Sequence, residues 1–238
     1  MSQANVGGND LATQTQNHHQ VVVVQPKPLL RGWSHAIAAV ASLVFTIVLG
    51  FASAYDPPRM LSMLVFGGSM VVMYSVSAVY HIGRWTPRVH RVLRSFDHAN
   101  IFLLIAGTYT PICFNLLDGW LRVFMLVMVW TLAIAGIGLS VLTLKLPRWV
   151  GTALYIGLGW VSLIALPGIV EAVGWIAVLV LAAGGVSYTV GAVIYALKRP
   201  NPSPRVFGFH ELFHLFVIAG SVACAVVVCV WALPYPRA

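Results

Sequence analysis

The spacing of apolar residues decides what this chain can fold into. Seven stretches, at approximately 34–54, 60–82, 96–116, 121–143, 149–169, 173–196 and 210–232, carry almost no charge. Each is close to the ~20 residues that cross ~30 Å of hydrocarbon. Inside a bilayer every backbone N–H and C=O must find a partner within the protein, so runs of this length are helices. The breaks between them hold turn and charge signals: DPPR at 56–59, RWTPRVHRVLR at 84–94, LDGW at 117–120, KLPR at 145–148, EAVG at 171–174 and KRPNPSPR at 198–205. Pro111 and Pro167 fall near helix ends, where a bend is tolerated. The expected fold is an all-α integral membrane protein, a bundle of seven transmembrane helices.

Composition removes the soluble alternative. Hydrophobic residues make up 59% of the 238, charged residues only 8%, and the mean hydropathy is +0.87. A soluble domain carries about a quarter charged residues, so this chain has too few to cover a water-facing surface. The net charge of +8 raises the question of nucleic acid. The basic residues, however, fall between the apolar runs rather than on one polar face, which is the pattern of a membrane protein. The first residues, SQANVGGNDLATQTQNHHQ, show neither the basic nor the apolar region of a secretory signal, and residues 1–30 are expected to form a disordered cytoplasmic tail. The VVVV at 21–24 is too short to span a membrane. Residues 31–238 form the transmembrane domain, and no internal repeat divides it.

Loop charge gives the expected orientation. Lys27, Arg31, Arg84, Arg88, Arg91, Arg94, Lys145, Arg148, Lys198, Arg199 and Arg205 lie in the tail or after helices two, four and six. The opposite side holds only Arg59, Arg122 and Arg237. Eleven against three places the N-terminus in the cytoplasm. Cys113, Cys224 and Cys229 all lie within helices, with no spacing that makes a disulfide framework or zinc knuckle, and they read as small packing residues.

Polar side chains at membrane depth are costly and therefore informative. Ser77 and His81 lie four apart on helix two and share a face. Asp97 and His98 begin helix three, His210-Glu211-Leu212-Phe213-His214 begins helix seven, and His35 begins helix one. Given the orientation, all of them sit at one depth, near the cytoplasmic face. His90 lies among arginines in a loop, and His18 and His19 lie in the tail, where water is the expected partner.

Two histidines four apart on a helix can aim at one metal ion, and a third completes a facial set. Zinc takes nitrogen ligands at ~2.0–2.1 Å, and a catalytic site keeps three protein ligands plus water. The expected ligands are His81, His210 and His214. Asp97 is expected behind them or hydrogen-bonded to the water, with Ser77 one turn deeper, and these two are the candidate catalytic residues. Zinc lowers the pKa of such a water to about 7. The competing reading is that the histidines only hydrogen-bond between helices. HELFH also matches the H-E-x-x-H signature, whose glutamate is a general base. A third ligand usually follows downstream, yet no histidine, aspartate or glutamate occurs after His214.

Ser77-x-x-x-His81, then Asp97-His98-Ala99-Asn100-Ile101 running into Ala106-Gly107-Thr108-Tyr109-Thr110-Pro111, then His210-Glu211-Leu212-Phe213-His214, resembles the hemolysin III family. That family is the bacterial branch of the progestin and adiponectin receptor-like proteins, related to the alkaline ceramidases. The resemblance runs from about Pro28 to Trp231. One departure is clear: where the wider family often has Glu-x-x-Asn-x-x-x-His, this chain has Pro28, Arg31 and His35, so only the histidine is kept. The resemblance implies seven helices, a cytoplasmic N-terminus, a bacterial plasma-membrane location, and zinc held by the three histidines. In the receptor relatives the serine and aspartate flank the water on zinc. It also implies hydrolysis of a lipid amide.

Three function classes follow. The first is a zinc-dependent hydrolase of an amide or ester in a membrane lipid. The second is a non-enzymatic membrane-homeostasis or receptor-like protein in which zinc staples helices two and seven. The third is a cytolysin, for which the sequence offers no amphipathic lytic segment and no charged pore ring. An intramembrane protease would rest on HELFH alone, with no substrate-binding domain after it.

Overall fold

The computed structural model of the protein describes residues 28–142 and 147–236. The expected tail through Lys27, with His18 and His19, lies outside them, as do Lys145 and Arg237. The described part is helical, with no strand beyond a single bridge between Ser203 and Phe207. Seven helices follow in order: α1 (Trp33–Ala52), α2 (Pro57–Ile82), α3 (Pro87–Leu116), α4 (Gly119–Leu142), α5 (Arg148–Trp160), α6 (Leu166–Leu197) and α7 (Phe209–Val227), which runs on into a π-helical turn, Val228–Ala232. Six are long and apolar enough to cross a membrane, and α5 by itself is not.

Local chemistry explains where the helices begin. Asp56 caps α2 by accepting from the Arg59 N–H at 3.2 Å, and Pro57 and Pro58 fill its first turn. Thr86 caps α3 in the same way, followed by Pro87. These prolines start helices earlier than the apolar pattern does. The loop expected at 84–94 is mostly helix, and His90 stands exposed on the first turns of α3. Charge marks the edge of the apolar run, whereas the helix continues past that edge into polar surroundings.

The continuous helix expected over 149–169 is interrupted. After Trp160 the chain makes a 3-10 turn at Val161–Ile164 before α6 begins. Pro167, in the first turn of α6, cannot donate a backbone hydrogen bond. Tyr109 Oη, from α3, donates to the carbonyls of Leu158 (3.1 Å) and Gly159 (2.6 Å), and Ser162 Oγ donates to Gly159 at 3.0 Å. Side chains thus satisfy the carbonyls around the break, as low dielectric demands. α6 itself is divided at Gly174, whose φ of 76° and ψ of 178° belong to glycine alone. This division falls where EAVG announced a break.

In the bundle α1 packs along α2, α2 along α3, α3 along α4, and α6 along α7. α3 is central, touching α2, α4, α5 and α6. Outward residues are apolar, among them Val40, Ile47 and Phe51 on α1, Val123 and Val127 on α4, and Ile176 and Leu179 on α6. A surface of that kind needs lipid around it, and the protein is an integral membrane protein. At one end Arg59, 4% exposed, ties α2 to the C-terminal segment through the carbonyls of Leu233 and Tyr235. The other end holds the histidines.

Candidate metal centre

His81 comes from the last turn of α2, and His210 and His214 from the first turns of α7. Each offers a ring nitrogen, and these nitrogens all lie within 4.8 Å of one another. His81 Nε2 and His210 Nε2 are 3.0 Å apart, and all three residues are at most 9% exposed. Asp97, on α3, brings Oδ2 to 3.7 Å from His81 Nε2. Ser77 is buried one turn deeper than His81 and lies within interaction range of the Asp97 carboxyl. Five residues expected from spacing to act together are thus at one end of the bundle, contributed by three helices.

The donor set fits zinc. Two nitrogens on a tetrahedral zinc at ~2.0–2.1 Å stand about 3.3 Å apart, close to the separation of the two Nε2 atoms. His214 Nδ1 is buried without a hydrogen-bond partner among the described residues, so none of them engages that nitrogen. A single N–H donated between His81 and His210 accounts for the 3.0 Å distance equally well, but leaves His214 unexplained.

The other polar residues take different parts. His98 is half-buried, and both of its ring nitrogens are engaged: Nδ1 with the Arg94 carbonyl at 2.8 Å, and Nε2 with Tyr195 Oη at 3.2 Å. It joins α3 to α6 and lies outside the cluster. Glu211, 2% exposed, spends both oxygens: Oε1 accepts from Arg31 Nε at 2.5 Å, and Oε2 from the Gly208 N–H at 2.7 Å. A general base needs a free oxygen facing the reaction, so the H-E-x-x-H reading loses its base. His35 is fully buried and stacks on His214, ring centroids 3.7 Å apart and planes 8° from parallel.

Sequence reasoning missed Arg31 as the partner of Glu211, which is 180 residues away. The available signal was general: a carboxylate at membrane depth requires a counter-charge at the same level. It also missed the network in which Tyr74 Oη (2.6 Å) and Tyr188 Oη (2.8 Å) both meet Ser221 Oγ, linking α2, α6 and α7 beneath the histidines.

An apolar cavity of about 210 Å³ lies between α3, α5, α6 and α7. Ile101, one turn past Asp97, and Phe213 and Val217, flanking His214, are among its lining residues. It therefore reaches within one turn of the cluster.

Fold and cluster together define a polytopic helical membrane protein with three buried histidines converging at one end of the bundle. The family described as Haemolysin-III related matches residues 24–225. The chain is 32% identical over 199 residues to the Hemolysin-3 homolog of Bacillus subtilis (strain 168), covering 82% of this chain and 89% of that one. It is 32% identical over 208 residues to Hemolysin-3 of Bacillus cereus, covering 84% and 90%. The chain belongs to the haemolysin-III-related family.

Proposed function

We propose that this protein is a zinc-dependent hydrolase of an amide or ester bond in a membrane lipid. In this reading it crosses a bacterial plasma membrane seven times with its N-terminus in the cytoplasm. Residues 148–173, helical on either side of the 3-10 turn, make the fifth crossing, and Gly174 starts the return. The observation that carries the proposal is the cluster of His81, His210 and His214 with the Asp97 carboxylate beside it and an apolar cavity one turn away.

The three histidines would hold the metal, which when bound acidifies a water and polarises a carbonyl. Asp97, with Oδ2 3.7 Å from His81 Nε2, would accept the proton that the attacking water loses and return it to the leaving amine or alkoxide. Ser77 orients the Asp97 carboxyl. The cavity receives an acyl chain, so that the scissile carbonyl rests at the histidine end and the headgroup faces the cytoplasmic leaflet. His81 sits at the end of a helix packed on both α1 and α3, which holds it in place against the α7 pair.

The direct test incubates purified protein with a bacterial lipid extract and measures released fatty acid by mass spectrometry. Release by the wild type and none by the His210→Ala/His214→Ala double variant is the expected result. Equal free fatty acid in both samples would overturn the hydrolase reading. The second reading, zinc as a staple, is favoured by one observation: His81 and His210 already join α2 to α7 at 3.0 Å. It predicts that Asp97→Asn leaves function intact while His214→Ala destabilises the fold.

A further inference from the structure

The turn before α1 touches all the parts that carry ligands, yet supplies no ligand itself. Leu29 N–H donates to the Arg205 carbonyl at 3.1 Å and Leu30 N–H to that of Val206 at 3.2 Å, so the turn is pinned to the connection between α6 and α7. Arg31 Nε reaches Glu211, which lies between His210 and His214 on α7. Gly32, at φ 87°, lies against α2 so closely that a Cβ there would stand 2.9 Å from the His81 Cβ. His35, one turn on, stacks on His214.

These contacts matter because α2 and α7 meet through side chains, His81 with His210 and Tyr74 with Ser221, whereas α1 packs along α2 and also touches α7. The relative position of His81 and the α7 histidines therefore depends on what bridges them. Glu211 is the link on the α7 side. Its Oε2 holds the Gly208 N–H at the start of the helix, and its Oε1 holds the guanidinium. Removing the charge from this carboxylate would weaken both contacts at the first turn of α7, the turn that carries His210.

We propose that residues 28–35 form a clamp in which Arg31, acting through Glu211, is a positioning residue that sets the α7 histidines in ligand register with His81. The proposal rests on the metal reading above. Groups that orient metal ligands govern affinity: their loss typically weakens binding by about 10- to 100-fold.

The experiment measures zinc affinity of the full-length protein in nanodiscs by competition with a chelator, for wild type, Arg31→Gln, Arg31→Lys and Glu211→Gln. Thermal melting of each metal-free protein is recorded alongside. The clamp predicts a 10- to 100-fold loss of affinity in Arg31→Gln and Glu211→Gln, with Arg31→Lys recovering part of it. The zinc X-ray absorption edge should also report altered nitrogen coordination in the Gln variants. Gln variants that melt at lower temperature but bind zinc as tightly as wild type would overturn the clamp and make the pair merely structural. If a Gln variant does not fold, Arg31→Lys decides: unchanged affinity and edge overturn the proposal, and a weakened affinity supports it. Absence of zinc binding in wild type would instead sink the metal reading beneath it.

Discussion

Asp97 is the residue on which the chemical reading turns, because it is the carboxylate beside the histidines with no helix-capping duty. Its Oδ2 stands 3.7 Å from His81 Nε2. Asp97→Asn keeps shape and volume but cannot accept a proton. We expect zinc content unchanged and fatty-acid release lowered by about 10²- to 10⁴-fold, as read by elemental analysis and mass spectrometry. Gly32 tests the packing around the same site. An alanine there would have to adopt a left-handed conformation, which costs about 1–2 kcal/mol, and would press on His81. Gly32→Ala should lower the melting temperature in detergent, and melting identical to wild type would contradict the close approach. The candidate residues themselves were legible in the sequence, since ionisable groups are rare at membrane depth. Their partners were not. Nothing in the spacing of Arg31 or His98 announces Glu211 or Tyr195, because those pairings depend on side-chain reach between helices far apart in the chain.

At the scale of elements, hydropathy marked the apolar spans well and the helix ends less well. α3 begins at Pro87 rather than near residue 96, since Thr86 and Pro87 start a helix whether or not lipid surrounds it. The 3-10 turn at Val161–Ile164 was invisible to hydropathy, because Val161, Leu163 and Ile164 are as apolar as any helix interior. What allows the break is Tyr109, a residue some 50 positions away. Tyr109→Phe removes the side-chain donor from the Leu158 carbonyl and leaves Gly159 with Ser162 Oγ, in a low-dielectric interior. We expect a loss of about 1–3 kcal/mol in stability, measured by reversible denaturation in detergent. A change within error of zero would mean that the break is satisfied in some other way.

At the scale of the whole molecule, the excess of lysine and arginine on one set of loops makes a prediction independent of the metal. Reporter fusions should place the segments after Ile82 and after Leu197 in the cytoplasm, and the segment joining α1 to α2 outside. The opposite pattern would put the histidine cluster at the outer leaflet and remove the proposed route for an inner-leaflet lipid. Membership of the haemolysin-III-related family was legible from three motifs spread over the chain, and the matched region confirms it. The apolar cavity was not legible, because residues of α3, α5, α6, α7 and the turn after Trp160 line it together, and no single segment encodes that meeting.

The central claim is that His81, His210 and His214 hold zinc. Elemental analysis of protein purified without added metal, joined to zinc-edge X-ray absorption, tests it most directly. Stoichiometric zinc with nitrogen ligands at ~2.0–2.1 Å is expected, lost in the His210→Ala/His214→Ala variant. A folded wild type that carries no zinc, and takes up none when zinc is supplied, would contradict it.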